Sequence, residues 1–218
     1  MSLVRQWCGR WSALALAAAQ QPQQRRLPNI VFFLADDFGY GDAGFLNPQS
    51  RIPTPHLDRL ARQGMHCTDA HDPSAVCTPT RYGILTGRYC WRTRLKTNVL
   101  GQWAAPLIDE SRLTVPAMLR TRGYTTAAFG KWHLGFDWPT LDGKPASFIN
   151  DKSNVDYDKP LGGGPLTRGF DYFFGMDCPN FGPYCYIEND RFQGKPTEVF
   201  AGGDMNQGPN PVFGPIDS

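Results

Sequence analysis

Residues 29–34, Asn-Ile-Val-Phe-Phe-Leu, carry an unbroken apolar run rich in β-branched and aromatic side chains. Such a run predicts a strand buried on both faces, because a strand with one wet face would alternate polar and apolar positions. A doubly buried strand needs neighbours on either side and a layer over each face, which points to an α/β sandwich. The run stops at Asp36-Asp37, and Phe38-Gly39-Tyr40-Gly41-Asp42 then predicts a tight turn. Open α/β sheets place their ligands at this carboxyl end of a strand, so the paired carboxylates are candidate site residues.

A helix follows. Thr54 is its expected cap, Pro55 opens it, Leu57, Leu60 and Ala61 supply the apolar face, and Gly64 closes it. The same logic recurs with Thr114 as cap, Pro116 in the first turn, Ala117, Met118 and Leu119 as apolar positions, and Gly123 as the stop. Residues 124–129, Tyr-Thr-Thr-Ala-Ala-Phe, then read as a strand that runs into Gly130-Lys131-Trp132-His133. A cation and an imidazole therefore arrive at the same kind of edge as the carboxylates. Their spacing of two on an extended segment predicts that Lys131 and His133 project to one side. Residues 170–174 read as a further strand, residues 137–169 as a long surface loop over the site, and 192–218 show little periodicity. The expected architecture is a mixed, mostly parallel sheet sandwiched by helices. It is incomplete, since only three or four strands are legible before the sequence turns to Gly, Pro and Asn.

A net charge of +2 across 218 residues, with no Lys/Arg stripe, leaves no electrostatic footprint for nucleic acid. Arg5 and Arg10 precede the apolar run from Trp11 to Ala19, and Ala17-Ala18-Ala19 offers a small-residue cleavage site. Residues 1–19 therefore read as a secretory signal peptide, too short for stable membrane insertion, with a Gln-rich linker over 20–27 and a secreted or periplasmic destination. Once Cys8 leaves, Cys67, Cys77, Cys90, Cys178 and Cys185 remain, an odd number that leaves one thiol over. Disulfides among Cys67, Cys90, Cys178 and Cys185 are open, and no C-x-x-C pair offers a zinc ribbon.

Between the two units lies Cys77-Thr78-Pro79-Thr80-Arg81, followed by Tyr82-Gly-Ile-Leu-Thr-Gly87-Arg88. Pro79 suits an early helical position, so Cys77 falls at a helix N-terminus, where free amides favour an anion. Arg81 lies one turn further along the same face. Read alone, Cys77 is either a reactive or modified thiol or a buried small hydrophobe. His56, His66 and His71 read as structural.

Five elements in this order carry a resemblance. They are the strand with Asp36-Asp37-x-Gly39-x-Gly41-Asp42; Thr54-Pro55-x-Leu57-Asp58-x-Leu60-Ala61; Cys77-x-Pro79-x-Arg81 with Leu85-Thr86-Gly87-Arg88; Gly123-Tyr124-x-Thr126 with Gly130-Lys131-Trp132-His133-x-Gly135; and Arg168-Gly169-Phe170-Asp171. Together they make the chain resemble the N-terminal part of a type I sulfatase of the alkaline-phosphatase-like superfamily, from about residue 28 to 175. His56, where the family often has Asn, and Thr80, where Ser is commoner, depart mildly from the pattern.

The resemblance implies a sulfuric ester hydrolase. A dedicated maturation enzyme that reads Cys77, Pro79 and Arg81 would oxidise Cys77 to formylglycine. One hydroxyl of the aldehyde hydrate would attack the sulfur of a sulfated small molecule or glycan and expel its alcohol, leaving an enzyme-bound sulfate, and loss of the second hydroxyl proton would eject sulfate and restore the aldehyde. Asp36, Asp37 and the modified residue 77 would ligate Ca²⁺ or Mg²⁺. Lys131 would hold a sulfate oxygen, Arg81 would steady the diol, and His133 would be the base for the elimination. The family adds an Asp-Asn pair, a further His and a Lys from later sequence that has no counterpart between residues 191 and 218. An N-terminal fragment with little turnover of its own is therefore expected. A phosphate or phosphonate ester hydrolase on the same scaffold and a non-catalytic anion-binding protein are the two alternatives.

Overall fold

The computed structural model describes residues 27–149 and 152–196, and the backbone of 203–204 and 208–209. The segments expected as signal peptide, 1–19, and as linker, up to residue 26, lie outside the described residues. Among those described, no helix is long and apolar enough to cross a membrane. The chain divides into two compact units, Met1–Arg59 and Leu60–Ser218.

In the first unit the apolar run differs from its expectation. Residues 29–34 join no ladder among the described residues, and Ile30, Val31 and Phe33 are 59%, 73% and 86% exposed. Apolar patterning states that a segment suits a buried ladder; the ladder itself needs a paired strand, which the pattern does not supply. The predicted turn is present. The Gly39 amide donates to the Asp42 carboxylate at 2.6 Å, and the Asp42 amide donates to the Gly39 carbonyl at 3.0 Å. The helix α1 (Pro55–Gln63) also forms, ahead of Gly64. Thr54 serves it differently from a simple cap: its hydroxyl accepts from the Gly44 amide at 2.8 Å and donates to the Asp58 carboxylate at 2.8 Å.

The second unit is built on α2 (Cys77–Thr86), α3 (Val115–Arg120), β1 (Ala127–Lys131), a two-residue hairpin of β2 (Phe148–Ile149) and β3 (Lys152–Ser153), β4 (Tyr172–Met176), β5 (Tyr186–Glu188) and β6 (Arg191–Gln193). Its main sheet has the order β1-β4-β5-β6. It is mixed, as expected: β1 and β4 run parallel, while β4–β5 and β5–β6 are antiparallel. The helix ends follow the sequence. The Thr114 hydroxyl accepts from the Ala117 amide at 3.3 Å, and α2 stops where Gly87 takes φ 63° and donates its amide to the Gly83 carbonyl at 2.8 Å.

β1 begins three residues later than the run 124–129 predicts, and β4 two residues later than 170–174. Asp171 is the reason. Its carboxylate accepts from the Thr126 amide at 2.9 Å and from the Thr126 hydroxyl at 3.0 Å, and it faces Arg120 Nε at 3.0 Å. These bonds, the amide first, hold its carboxyl below the usual range; they tie the two strand entries to each other ahead of the ladder and, through Arg120, to α3. Arg168 works nearby. It is 4% exposed, its Nε donates to the Ile108 carbonyl at 2.8 Å, and its own carbonyl accepts from the Thr114 hydroxyl at 2.6 Å. Arg168-Gly-Phe-Asp171 is thus a structural staple.

The expected surface loop at 137–169 is in part core. Val155 and Leu161 are buried, and the glycines at 162–164 permit close packing: a Cβ at Gly164 would lie 2.3 Å from the Phe136 ring, and one at Gly163 2.2 Å from Pro106. Phe136 and Phe173 are each 1% exposed, and burial of each contributes about 2–3 kcal/mol before entropy is counted. No disulfide forms among the described residues; Cys67, Cys77, Cys90, Cys178 and Cys185 are all thiols. Burial pushes the Cys185 thiol up to about 12.

Candidate active site

Two elements of the second unit meet at their ends. α2 starts at Cys77 after an extended Val76, with no side-chain cap on its amides. Its first turn is fixed by Thr80, whose hydroxyl donates to the Ser74 carbonyl at 2.6 Å. β1 ends at Lys131, but the strand-to-strand bonding continues: the Trp132 amide donates to the Met176 carbonyl at 2.9 Å, and the His133 amide to the Asp177 carbonyl at 2.8 Å. At His133 the backbone turns left-handed, φ 52°, an uncommon conformation for a residue with a side chain.

That turn decides where the imidazole goes. His133 is 2% exposed, its Nδ1 lies 3.1 Å from the Cys77 Sγ, and its Nε2 lies 2.9 Å from the Leu100 carbonyl. Arg81, one helical turn beyond Cys77, donates from its guanidinium to the Lys131 carbonyl. Cys77, Arg81, Lys131 and His133, four site residues expected from the sequence, are therefore brought together. The reason given for Lys131 and His133 needs correcting. The left-handed turn breaks the alternation of an extended segment, and the two side chains share the site through the loop after β4 instead. Lys131 Nζ lies 3.4 Å from the Asn180 side-chain oxygen Oδ1, and the Phe181 ring stands edge-on to His133 with centroids 5.7 Å apart.

Asp36 and Asp37 lie in the first unit, exposed, with Asp37 at φ 58°. Oxygen donors of this kind suit Ca²⁺ or Mg²⁺, which take six or more ligands at about 2.0–2.6 Å. Among the described residues no group of three His, Cys, Asp or Glu side chains comes close enough to hold a metal ion. The donor chemistry fits a hard cation and the donor number does not, so no step below is routed through a metal.

Sequence reasoning missed Thr78, Asp177, Asn180 and Phe181. Thr78 stood at an unspecified position of Cys77-x-Pro79-x-Arg81, whereas Asp177 offered the same signal as Asp36, an acid just past a strand. Asp177 is 8% exposed, and one of its carboxylate oxygens has no hydrogen-bond partner. Burial pushes its carboxyl up to about 6, against the pull of His133, Lys131 and the amides of Gly135 and His133. A raised carboxyl favours the folded state below about pH 4, and that contribution is lost as pH rises through about 6. Asp177→Asn, which cannot ionise, is expected to gain stability over the parent between pH 4 and 7, by on the order of 2 kcal/mol. Thermal melts of both proteins across that range measure it; a constant gap would contradict the assignment.

Known proteins share this arrangement of sequence. Residues 28–192 match the family model described as Sulfatase. The N-acetylgalactosamine-6-O-sulfatase of Bacteroides thetaiotaomicron is 34% identical over 173 residues, covering 79% of this chain and 31% of that protein. Arylsulfatase A of Homo sapiens is 43% identical over 123 residues, 56% of this chain and 24% of that enzyme. A solved structure from glycosaminoglycan metabolism in Bacteroides thetaiotaomicron superposes with a TM-score of 0.65 at 28% identity, covering 85% of this chain and 42% of that one. The chain thus spans about a third of the length of the curated relatives it matches.

Proposed function

The chain belongs to the sulfatase family, and from this we propose that it supplies the nucleophile-bearing part of a sulfuric ester hydrolase acting on a sulfated small molecule or glycan. The observation that carries the reading is the contact of 3.1 Å between Cys77 Sγ and His133 Nδ1 at the N-terminus of α2. Oxidised to formylglycine by a maturation enzyme, residue 77 supplies an aldehyde hydrate whose hydroxyl attacks sulfur. Asp36 and Asp37 would contribute carboxylate oxygens to a divalent cation, which would supply charge neutralisation at the sulfate oxygens.

The remaining roles belong to His133, Lys131 and Arg81. His133 Nδ1 takes the proton from an oxygen on residue 77, within the reach general-base catalysis requires. The Lys131 ammonium holds a sulfate oxygen as charge shifts toward the leaving alcohol. Arg81 acts through its bond to the Lys131 carbonyl, locking the first turn of α2 against the end of β1. We further infer export through residues 1–19.

The test compares aryl sulfate with aryl phosphate hydrolysis by the protein co-expressed with a formylglycine-generating enzyme and supplied with Ca²⁺ or Mg²⁺. A rate on the sulfate ester at least about tenfold higher is expected. The reverse preference would assign phosphoryl transfer to the same residues. Binding of inorganic sulfate with neither ester cleaved would assign an anion-binding role.

A further inference from the structure

Thr78 is 0% exposed and makes two hydrogen bonds, the donor and acceptor capacity of one hydroxyl used together. It donates to the His133 carbonyl at 3.1 Å and accepts from the Leu100 amide at 3.2 Å. The Leu100 carbonyl, on the far side of the same residue, faces His133 Nε2 at 2.9 Å. Three segments distant in sequence thus close one ring of hydrogen bonds: the first turn of α2, the stretch around Leu100, and the left-handed turn after β1.

A carbonyl oxygen only accepts, so the bond at Nε2 requires the proton to sit on that nitrogen. In the neutral imidazole Nδ1 then keeps its lone pair, and the Cys77 thiol, 3.1 Å away, is placed to donate to it. We propose that Thr78 is a positioning residue: with the Leu100 peptide it clamps His133 in the Nε2–H tautomer, its Nδ1 lone pair aimed at residue 77. The clamp answers a specific difficulty. His133 sits at φ 52°, a left-handed conformation that is strained for a residue with a side chain and relaxes unless its surroundings hold it. The Asp177 carbonyl holds its amide and Thr78 holds its carbonyl, so the peptide on each side of the turn is pinned.

This inference rests on the sulfatase reading for its purpose, and its test does not. The 218-residue chain, labelled with ¹⁵N-histidine, is observed in water at a pH about two units above the ordinary imidazole range. The signals of His133 are assigned by their loss in His133→Gln. The expected result is a protonated Nε2 with an observable ring N–H, an unprotonated Nδ1, exchange of that ring proton at least about tenfold faster in Thr78→Val, and slow exchange restored in Thr78→Ser. A protonated Nδ1 in the parent, or exchange in Thr78→Val within about twofold of the parent, would overturn the clamp. Where Thr78→Val fails to fold, the parent tautomer and Thr78→Ser decide: Nε2–H with parent-like exchange supports it, and Nδ1–H overturns it. After co-expression with a formylglycine-generating enzyme, an unmodified Cys77 beside an intact Nε2–H tautomer would defeat the sulfatase reading alone. Formylglycine at residue 77 beside an Nδ1–H His133 would defeat the clamp alone.

Discussion

Gly175→Ala is expected to cost at least about 3 kcal/mol of stability, a large part of what an ordinary domain has. Gly175 pairs with Gly130 in the parallel ladder of β4 and β1. A Cβ at residue 175 would lie 1.9 Å from the Gly130 carbonyl oxygen and 2.7 Å from its carbon. The obstacle is backbone, so no side chain can swing away; the two strands must separate or the ladder must break. Gly130 holds φ 95°, a conformation that other residues reach only with strain, so the pair cannot relax from that side either. Breaking this ladder removes the bonds of Trp132 and His133 to Met176 and Asp177, and with them the turn that presents the imidazole. Denaturant titration measures the loss. Gly101→Ala is the control, since a Cβ there meets nothing within 4 Å, and a change within about 0.5 kcal/mol is expected. A Gly175→Ala protein as stable as this control would contradict the close approach of β1 and β4.

Cys77→Ala is expected to abolish whatever aryl sulfate hydrolysis the protein shows, a fall of at least about 10³ in rate. The substitution removes the atom that becomes the nucleophile and leaves the frame standing. Arg81 keeps its bond to the Lys131 carbonyl and His133 its bond to Leu100. Folding is therefore expected to hold while chemistry is lost, and the two are separated by measuring melting temperature and rate on the same preparation. Cys67→Ala, at an exposed thiol, is expected to leave the rate unchanged. A Cys77→Ala protein with more than about a tenth of the parent rate would remove residue 77 from the reaction.

The parts of this site legible in the sequence are those carried by local rules. Cys77 at a helix start follows from Pro79 and Gly87. Arg81 on its face follows from helical spacing, and Lys131-Trp-His133 at a strand end follows from the apolar run before it. What long-range contacts decide could not be read. The exposed 29–34 run satisfied the pattern of a buried strand without acquiring a ladder. The glycines at 162–164, which look like loop residues, are small because Phe136 and Pro106 press on them. The spacing rule for Lys131 and His133 failed because His133 turns left-handed. The Leu100 carbonyl that faces His133 is a backbone group that any residue at that position would carry, so residue identity gives no sign of it.

The claim on which the account rests is that residue 77 reacts as an aldehyde hydrate under His133. Peptide mass spectrometry on the protein co-expressed with a formylglycine-generating enzyme tests it most directly. The peptide spanning residue 77 is expected to carry the mass loss that replaces CH₂SH by CHO, and to bind a hydrazide probe. An unmodified thiol at Cys77 in every molecule, in a preparation that still hydrolyses a sulfate ester, would contradict the account.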